Sequence, residues 1–410
     1  MESEKKQVVI LGAGYGGLRT ALRLERLIKQ NPDWQILLID RYSVSQLKTE
    51  LHEAAAGKLS FEDVSVSISK LIVDKNIEFL QAEATNIDFK QQVVTTSKGK
   101  IKYDKLVIAL GSETEFFDIP GLKTQAFTLA SVDDALKINT HIRNMFAQAK
   151  KEIDSRKRQA TLTFVVGGGG YTGIELATEL FDYTQTLSRQ FDILQEDIQL
   201  MIIEAENRIL PGFDAELADY TQKILKEKGI RLMLKTPCVS AEDDVISLKT
   251  GEKISARTLI WTGGVRACEL VEQAESEQGL KYGSRGRLIV NQYLESVDHH
   301  EVYVIGDSAL IVDPISNRPL APSAQLALQQ AEVAATNIAA DIKSLKRVRY
   351  APKVAGEFVS LGRRNAVGWV WRFKVTGFVA WSLKRFSAVR YLYSLGGLRL
   401  VIPRLRRLLF

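Results

Sequence analysis

Residues Phe164–Leu180 read FVVGGGGYTGIELATEL, and residues Val8–Leu24 read VVILGAGYGGLRTALRL, a near copy. Each copy opens on a short apolar, β-branched run (Val8–Leu11, Thr163–Val166), the composition of a parallel strand buried on both faces. Each then turns through glycines and continues as a helix with apolar periodicity. Gly12, Gly14 and Gly17 in the first copy, and Gly168, Gly170 and Gly173 in the second, share the spacing G-x-G-x-x-G. In that spacing the first glycine permits a tight turn, the second lets the backbone approach a pyrophosphate, and the third lets helix and strand pack closely. The unpaired N–H groups and positive dipole end of the helix then meet the phosphates.

A lone glycine turn also serves as a plain connection, so the flanking residues decide. Each copy leads to a second strand that closes on an acid: ILLID ends at Asp40 and LMIIE at Glu204. A carboxylate there accepts hydrogen bonds from an adenosine ribose, and its charge disfavours a 2′-phosphate. The polar insert TQTLSRQFDILQED accounts for the long path from Gly168 to Glu204. Arg208, close behind Glu204 in EAENR, leaves NADPH open beside NADH. Two dinucleotide sites on one chain imply electron traffic between them, because a nicotinamide delivers hydride and a flavin accepts it.

The bulk composition narrows the chemistry. The chain has 410 residues, 45% hydrophobic and 25% charged, enough for two or three ordinary folded domains. Its two cysteines, Cys238 and Cys268, are too far apart in sequence for a CxxC redox pair, and its four histidines show no HxxxH spacing, so no metal centre is expected. The N-terminal MESEKKQVVILGAG lacks the apolar core of an export signal, and no apolar run is long enough to span a bilayer. The net charge of +6 is concentrated at one end: residues 358–410 hold eleven of the 55 basic residues and no acid.

On these residues the chain resembles the two-dinucleotide-binding-domain flavoproteins, and within them is most similar to the type II NADH dehydrogenases, the single-subunit NADH:quinone oxidoreductases. The resemblance implies that the N-terminal loop holds the ADP half of FAD, that the middle loop holds NADH, and that the chain then returns to complete the FAD domain. YDKLVIALGSETEFFDIPG (Tyr103–Gly121) resembles the hand-over between domains, with Gly111 close to FAD; LIWTGGV (Leu259–Val265) resembles the return strand. In EVYVIGDSA, Asp307 matches the aspartate that hydrogen-bonds the ribityl chain of FAD. The run APSAQLALQQAEVAATNIA (Ala321–Ala339) has high helix propensity, with Pro322 suited to its first turn. Its AQxAxQ pattern implies that Gln325 and Gln329 line a quinone pocket, and Glu175 matches a glutamate near nicotinamide and flavin. SVSQLKTELHEAAAG (Ser43–Gly57) departs from the family's usual pattern at Gln46, Leu47 and Thr49, so the sequence does not name the quinone.

The C-terminal stretch interleaves ten aromatics with its basic residues, and Leu398, Val401, Leu405 and Leu408 recur at helical spacing, with Pro403 inside and Arg399, Arg406 and Arg407 elsewhere. Such a segment suits a membrane interface, its cations meeting anionic lipid. A homodimer contact is compatible with that role; nucleic acid is not expected. The expectation is therefore an α/β protein with two Rossmann-like dinucleotide-binding domains, the second inserted in the first, plus a C-terminal amphipathic helical membrane-anchoring segment. The expected boundaries are 1–112 and 266–345 for FAD, 113–265 for NADH and 346–410 for membrane association. The expected activity is hydride transfer from NADH to FAD and electron transfer on to a membrane quinone without proton pumping, at the cytoplasmic face. The rival readings are another flavoprotein reductase, including one acting on a quinone precursor, or a slow membrane-bound redox sensor.

Overall fold

The computed structural model describes residues 5–278, 281–313 and 317–409, and their side chains except those of 274–278 and 405–409. The expected roles of Leu405, Leu408, Arg406 and Arg407 therefore fall outside the described side chains.

β1 (Lys6–Leu11) runs into α1 (Tyr15–Ile28) and returns in β2 (Trp34–Asp40), followed by the short α2 (Leu51–Ala55), β3 (Ile77–Gln81) and β4 (Lys105–Ile108). A second series repeats the plan: β5 (Phe127–Thr128), α3 (Val132–Ala149), β6 (Thr163–Gly167), α4 (Tyr171–Phe191), β7 (Gln199–Ile203), α5 (Ala215–Glu227), β8 (Arg231–Met233) and β9 (Thr258–Trp261). The chain returns through β10 (Val302–Val304) and α6 (Ala324–Ile342), then ends in β11 (Gly356–Ser360), β12 (Ala366–Val370), β13 (Phe373–Thr376), α7 (Gly377–Gly396) and α8 (Leu398–Leu409). Two compact units result. The first takes in the described residues up to Gln46, then Val66–Glu113 and Val265–Val354; the second takes in Leu47–Ser65, Thr114–Gly264 and the chain from Ala355 onward.

In the first unit the sheet order is β10-β4-β1-β2-β3, all parallel. In the second it is β5-β9-β6-β7-β8, again parallel. In each sheet the glycine loop leaves the central strand, β1 or β6, where the winding reverses, and such a switch point opens a crevice for a ligand. The strands are apolar on both faces because helices cover one face and a three-stranded antiparallel sheet the other, Ile87 and Val94 packing on Val9 and Leu11 in the first unit, Ile246 and Leu248 on Val165 and Ile203 in the second. Val9, Leu11, Ile108 and Val304 lie in the first core, and Phe164, Val166, Ile174 and Leu180 in the second.

The unit boundaries differ from those expected, and packing explains why. Leu51 and Ala55 of α2, and Val359 and Val367 of β11 and β12, join the same buried cluster as Ile174 and Leu180 of α4. Residues 47–65 and 355–410 thus belong to the second unit. The C-terminal region is also not the all-helical segment expected. Its first part is an antiparallel sheet, β11-β12-β13, with Val359 opposite Val367 and Trp369 opposite Lys374. Alternating aromatic and β-branched residues suit those strands, and the positive φ of Arg364 and Trp371 makes the turns. A further shift occurs at α6, which starts at Ala324 rather than Ala321: Ser323 is its N-cap, accepting from the Leu326 N–H, and Pro322 stands outside.

The two glycine loops are built alike. The positive φ of Gly12 (95°) and Gly168 (106°) makes each turn, and a Cβ on Gly12 would strike the Ala109 carbonyl while one on Gly168 would lie 2.7 Å from Gly263 Cα. A Cβ on Gly17 would collide with the Gly12 carbonyl, and one on Gly173 with that of Gly168. Gly14 and Gly170 have nothing within 4 Å. The glycine pairs therefore split by role. Gly17→Ala and Gly173→Ala are expected to cost about 1–3 kcal/mol each, as overpacking does, whereas Gly14→Ala and Gly170→Ala should melt like the parent. Thermal unfolding of the four variants checks this, and equal losses at all four positions would contradict it.

Candidate functional site

Gly14 and Gly170 are the N-caps of α1 and α4, and neither helix has a side-chain cap or an acid in its first turn. Ser131 on α3, Asp214 on α5 and Ser323 on α6 cap those helices with side chains, whereas α2 and α7 share the lack of one. The two glycine-loop helices thus keep their N-terminal N–H groups and positive dipole ends for an outside anion. The second glycine of each loop faces open space, where a Cβ would fill the approach of a phosphate. Both cradles fit the pyrophosphate of a dinucleotide.

The acids expected at the ends of the second strands are in place and do more than wait for a ribose. Asp40 accepts from the Ala13 N–H through Oδ2 (2.6 Å) and from the Tyr42 N–H through Oδ1 (2.8 Å). Glu204 accepts from the Gly169 N–H through Oε2 (2.5 Å) and from the Glu206 N–H through Oε1 (2.8 Å). Each carboxylate therefore ties the glycine loop to the end of the neighbouring strand. Each Glu204 oxygen keeps a second lone pair for a ribose hydroxyl.

In the first unit Asp307 follows β10, and its Oδ2 accepts from the Ser112 hydroxyl (2.6 Å); the Ser308 hydroxyl donates to the Gly111 carbonyl (3.2 Å). The structure brings Gly111 and Asp307 together through these two serines. The Gly306 N–H donates to Gln330 Oε1 (2.6 Å), which fixes the start of the Gly-Asp turn against α6. A small, partly open pocket lies at the α6 N-terminus, lined among others by Arg287, Gly306, Leu320, Ser323 and Gln330. The Arg287 side chain is buried and donates from Nη1 to the Leu320 carbonyl (3.1 Å). Sequence reasoning missed Gln330, because it points away from the face that carries Gln325 and Gln329. Gln329 spends both ends of its amide on the backbone of Lys353, accepting from its N–H (3.0 Å) and donating to its carbonyl (2.7 Å). Gln325 is half-buried and makes no side-chain hydrogen bond among the described residues.

Glu175 sits in the second unit, beyond the first turn of α4 and buried rather than serving the helix dipole. Its Oε1 accepts from the Ser360 N–H (2.8 Å) and from the Lys384 ammonium, and His52 Nδ1 lies 3.6 Å from its Oε2. Around it gathers a cluster of charge that the sequence did not announce. Arg385 Nη1 donates to Glu50 (3.2 Å) and Nη2 pairs with Glu53 (2.5 Å), while Lys58 pairs with the buried Glu179 (2.7 Å). Lys384 and Arg385, expected among the lipid-facing cations, point inward from α7. Burial lowers the His52 pKa well below its ordinary value, with the charges of Lys384 and Arg385 acting the same way, so the ring is neutral. Burial also pushes the Lys384 ammonium down, but the charges of Glu175 and Glu50 overcome it and hold its pKa above the ordinary value.

Burial, reinforced by the charge of Glu53 and opposed by Lys384 and Arg385, raises the Glu50 carboxyl from 4.5 to about 7. The folded chain thus keeps a proton that the unfolded chain releases above pH 4.5, so the stabilising contribution is complete below that pH and is lost as pH rises through about 7. Glu50→Gln should accordingly melt like the parent near pH 5 and be more stable by about 1–3 kcal/mol near pH 8.5. A difference that does not change with pH would contradict this account.

Comparison with known proteins places the chain in a family. Residues 6–335 match the model of the pyridine nucleotide-disulphide oxidoreductase family. The chain is 35% identical over 409 residues to the type II NADH:quinone oxidoreductase of Staphylococcus epidermidis, covering 98% of this chain and 99% of the relative. It is 33% identical, with the same coverage, to that of Staphylococcus aureus. Among solved structures, NDH2 of Plasmodium falciparum in complex with NADH superposes over 94% of each chain with a TM-score of 0.85 at 19% identity. The sulfide:quinone oxidoreductase of Aquifex aeolicus follows with a TM-score of 0.77 at 22% identity, over 95% of this chain and 91% of that one. The near-full-length identity to curated relatives, carried by a chain that repeats the dinucleotide cradle, makes this protein a member of the type II NADH:quinone oxidoreductase family.

Proposed function

We propose that the chain is an FAD-dependent NADH:quinone oxidoreductase that works on a membrane surface and pumps no protons. The observation that carries this reading is the pair of uncapped glycine-loop helices, one in each unit, in a chain whose curated relatives bear that activity over nearly their full length. In the first unit Gly12, Gly14, Gly17 and Asp40 would hold the ADP half of FAD, with Gly111 and Asp307 beside the rest of the cofactor. In the second, Gly168, Gly170, Gly173 and Glu204 would hold NADH. Bound flavin supplies the exchange of two electrons between nicotinamide and quinone. The chain's part is placement and electrostatics. The N-terminus of α6 directs its positive end at the pocket beneath Ser323, favouring negative charge there. Gln325, with its amide uncommitted, is the residue to meet a quinone carbonyl, and Gln329 fixes the wall behind it through Lys353. Glu175 positions the α4 region through Ser360 and Lys384.

Membrane attachment would use the exposed aromatic residues of the C-terminal region. Trp371 (75% exposed), Phe373, Phe378 and Phe386 present apolar surface, flanked by the exposed Arg363, Arg364, Arg372 and Arg390. No helix among the described residues is long and apolar enough to cross a membrane; attachment would be from the cytoplasmic face. A thiol-based reductase is the less favoured reading. Burial pushes the Cys268 thiol up to about 11 and raises that of Cys238, the reverse of what a reactive thiolate requires.

The test is NADH oxidation by purified, FAD-containing protein with two acceptors, a water-soluble short-chain quinone and a long-chain quinone in anionic vesicles. Both should support turnover. Phe378→Ser/Phe386→Ser should lower turnover with the vesicle quinone by at least about tenfold, a loss of about 1.4 kcal/mol that two rings only partly buried in lipid suffice to give, and leave the soluble quinone unaffected. Turnover with a disulfide or with sulfide, and none with either quinone, would overturn the reading.

A further inference from the structure

The loop after Glu204 carries one cation, Arg208, and folds back on the glycine turn. The Leu210 N–H donates to the Gly169 carbonyl (2.8 Å). Ile209 is fully buried, and its Cγ2 would lie 3.0 Å from a Cβ on Gly169, the residue whose N–H is held by Glu204. Arg208 therefore leaves the backbone one residue from the floor of the cradle and four residues after the acid at its rim. Its guanidinium does not turn toward Glu204. Nη2 donates to the Ala215 carbonyl (2.5 Å) and to Asp219 Oδ1 (2.9 Å), both on α5.

We propose that Arg208 is a latent receptor for the 2′-phosphate of NADPH, held away from the adenosine pocket by Asp219, so that two acids, Glu204 and Asp219, set the preference for NADH. This rests on the assignment of the second cradle to the nicotinamide dinucleotide. NADPH differs from NADH by a single phosphate on the adenosine ribose, close to a full double negative charge at neutral pH. At this rim the phosphate meets Glu204, a like charge, and Arg208 is already committed. The Arg208–Asp219 pair is half in water, with side chains 38% and 70% exposed. A pair so exposed is weak and screened, whereas a guanidinium fork matches a phosphate in geometry and charge. Release of Arg208 thus costs little, and the freed guanidinium has a stronger partner than the one it leaves.

The test uses the holoprotein and two redox-inert probes, ADP-ribose and 2′-phospho-ADP-ribose, titrated calorimetrically. Asp219→Ala should tighten 2′-phospho-ADP-ribose about two- to fivefold, the share an exposed ion pair can withhold, and leave ADP-ribose unchanged. In an Arg208→Ala background the same substitution should have no effect, because the gain runs through the guanidinium. Thermal melting of each variant confirms a folded protein. An unchanged 2′-phosphate affinity in Asp219→Ala, or a gain that persists without Arg208, would overturn the latch while normal ADP-ribose binding left the site assignment standing. Failure of the parent protein to bind ADP-ribose, or binding indifferent to Glu204→Ala, would overturn the site assignment and the latch together.

Discussion

The missing side chain of the third glycine in each loop is the constraint on which the rest of the molecule depends. At Gly17 and Gly173 the first turn of a helix lies against the carbonyl of the loop's first glycine, and a single Cβ would occupy the same space. That approach seats the helix start over the central strand of its sheet, at the point where the winding reverses. It also leaves the helix uncapped and its N–H groups outward. From the same packing follow a crevice, a positive field and a backbone free to meet phosphate, with no charged side chain required. The carboxylates of Asp40 and Glu204 complete each cradle by holding the turn that the glycines allow.

Much of this was legible because it is local. Strand, glycine turn, helix and strand-ending acid are contiguous in sequence, so Gly12 to Asp40 and Gly168 to Glu204 could be read residue by residue. Both glycine turns lie where the spacing puts them. What could not be read depends on contacts between distant segments. Gln330 matters through Gly306, Ser112 through Asp307 and Asp219 through Arg208. No periodicity in any one segment marks such pairs. The displaced start of α6 has a more local cause: Ser323 outcompetes Pro322 as the boundary signal, since its hydroxyl satisfies an N–H that the proline ring cannot.

The C-terminal region shows how composition misleads when charge is counted without partners. Eleven cations and no acids read as a lipid-facing surface. Folding gives several of them other work. Lys384 and Arg385 neutralise buried carboxylates from α2 and α4, Lys374 bridges Asp214 and Glu216, and Arg404 donates to the carbonyls of Glu62 and Ser65. Removing one partner from such a buried pair costs far more than removing a surface charge, so α7 is part of the second unit's interior as well as its surface. Trp371, Phe373, Phe378, Phe386 and Tyr393, by contrast, remain outside, and they rather than the full set of cations mark the face that a membrane would meet.

The central claim is that one bound flavin takes electrons from NADH and gives them to quinone. Rapid anaerobic mixing of the FAD-loaded protein with NADH, followed by mixing of the reduced protein with a short-chain quinone, tests it most directly through the flavin's visible absorbance. The account predicts fast bleaching in the first mix and fast recovery in the second, each at least as fast as steady-state turnover. Bleaching that quinone does not reverse, or a flavin that NADH leaves oxidised, would contradict it.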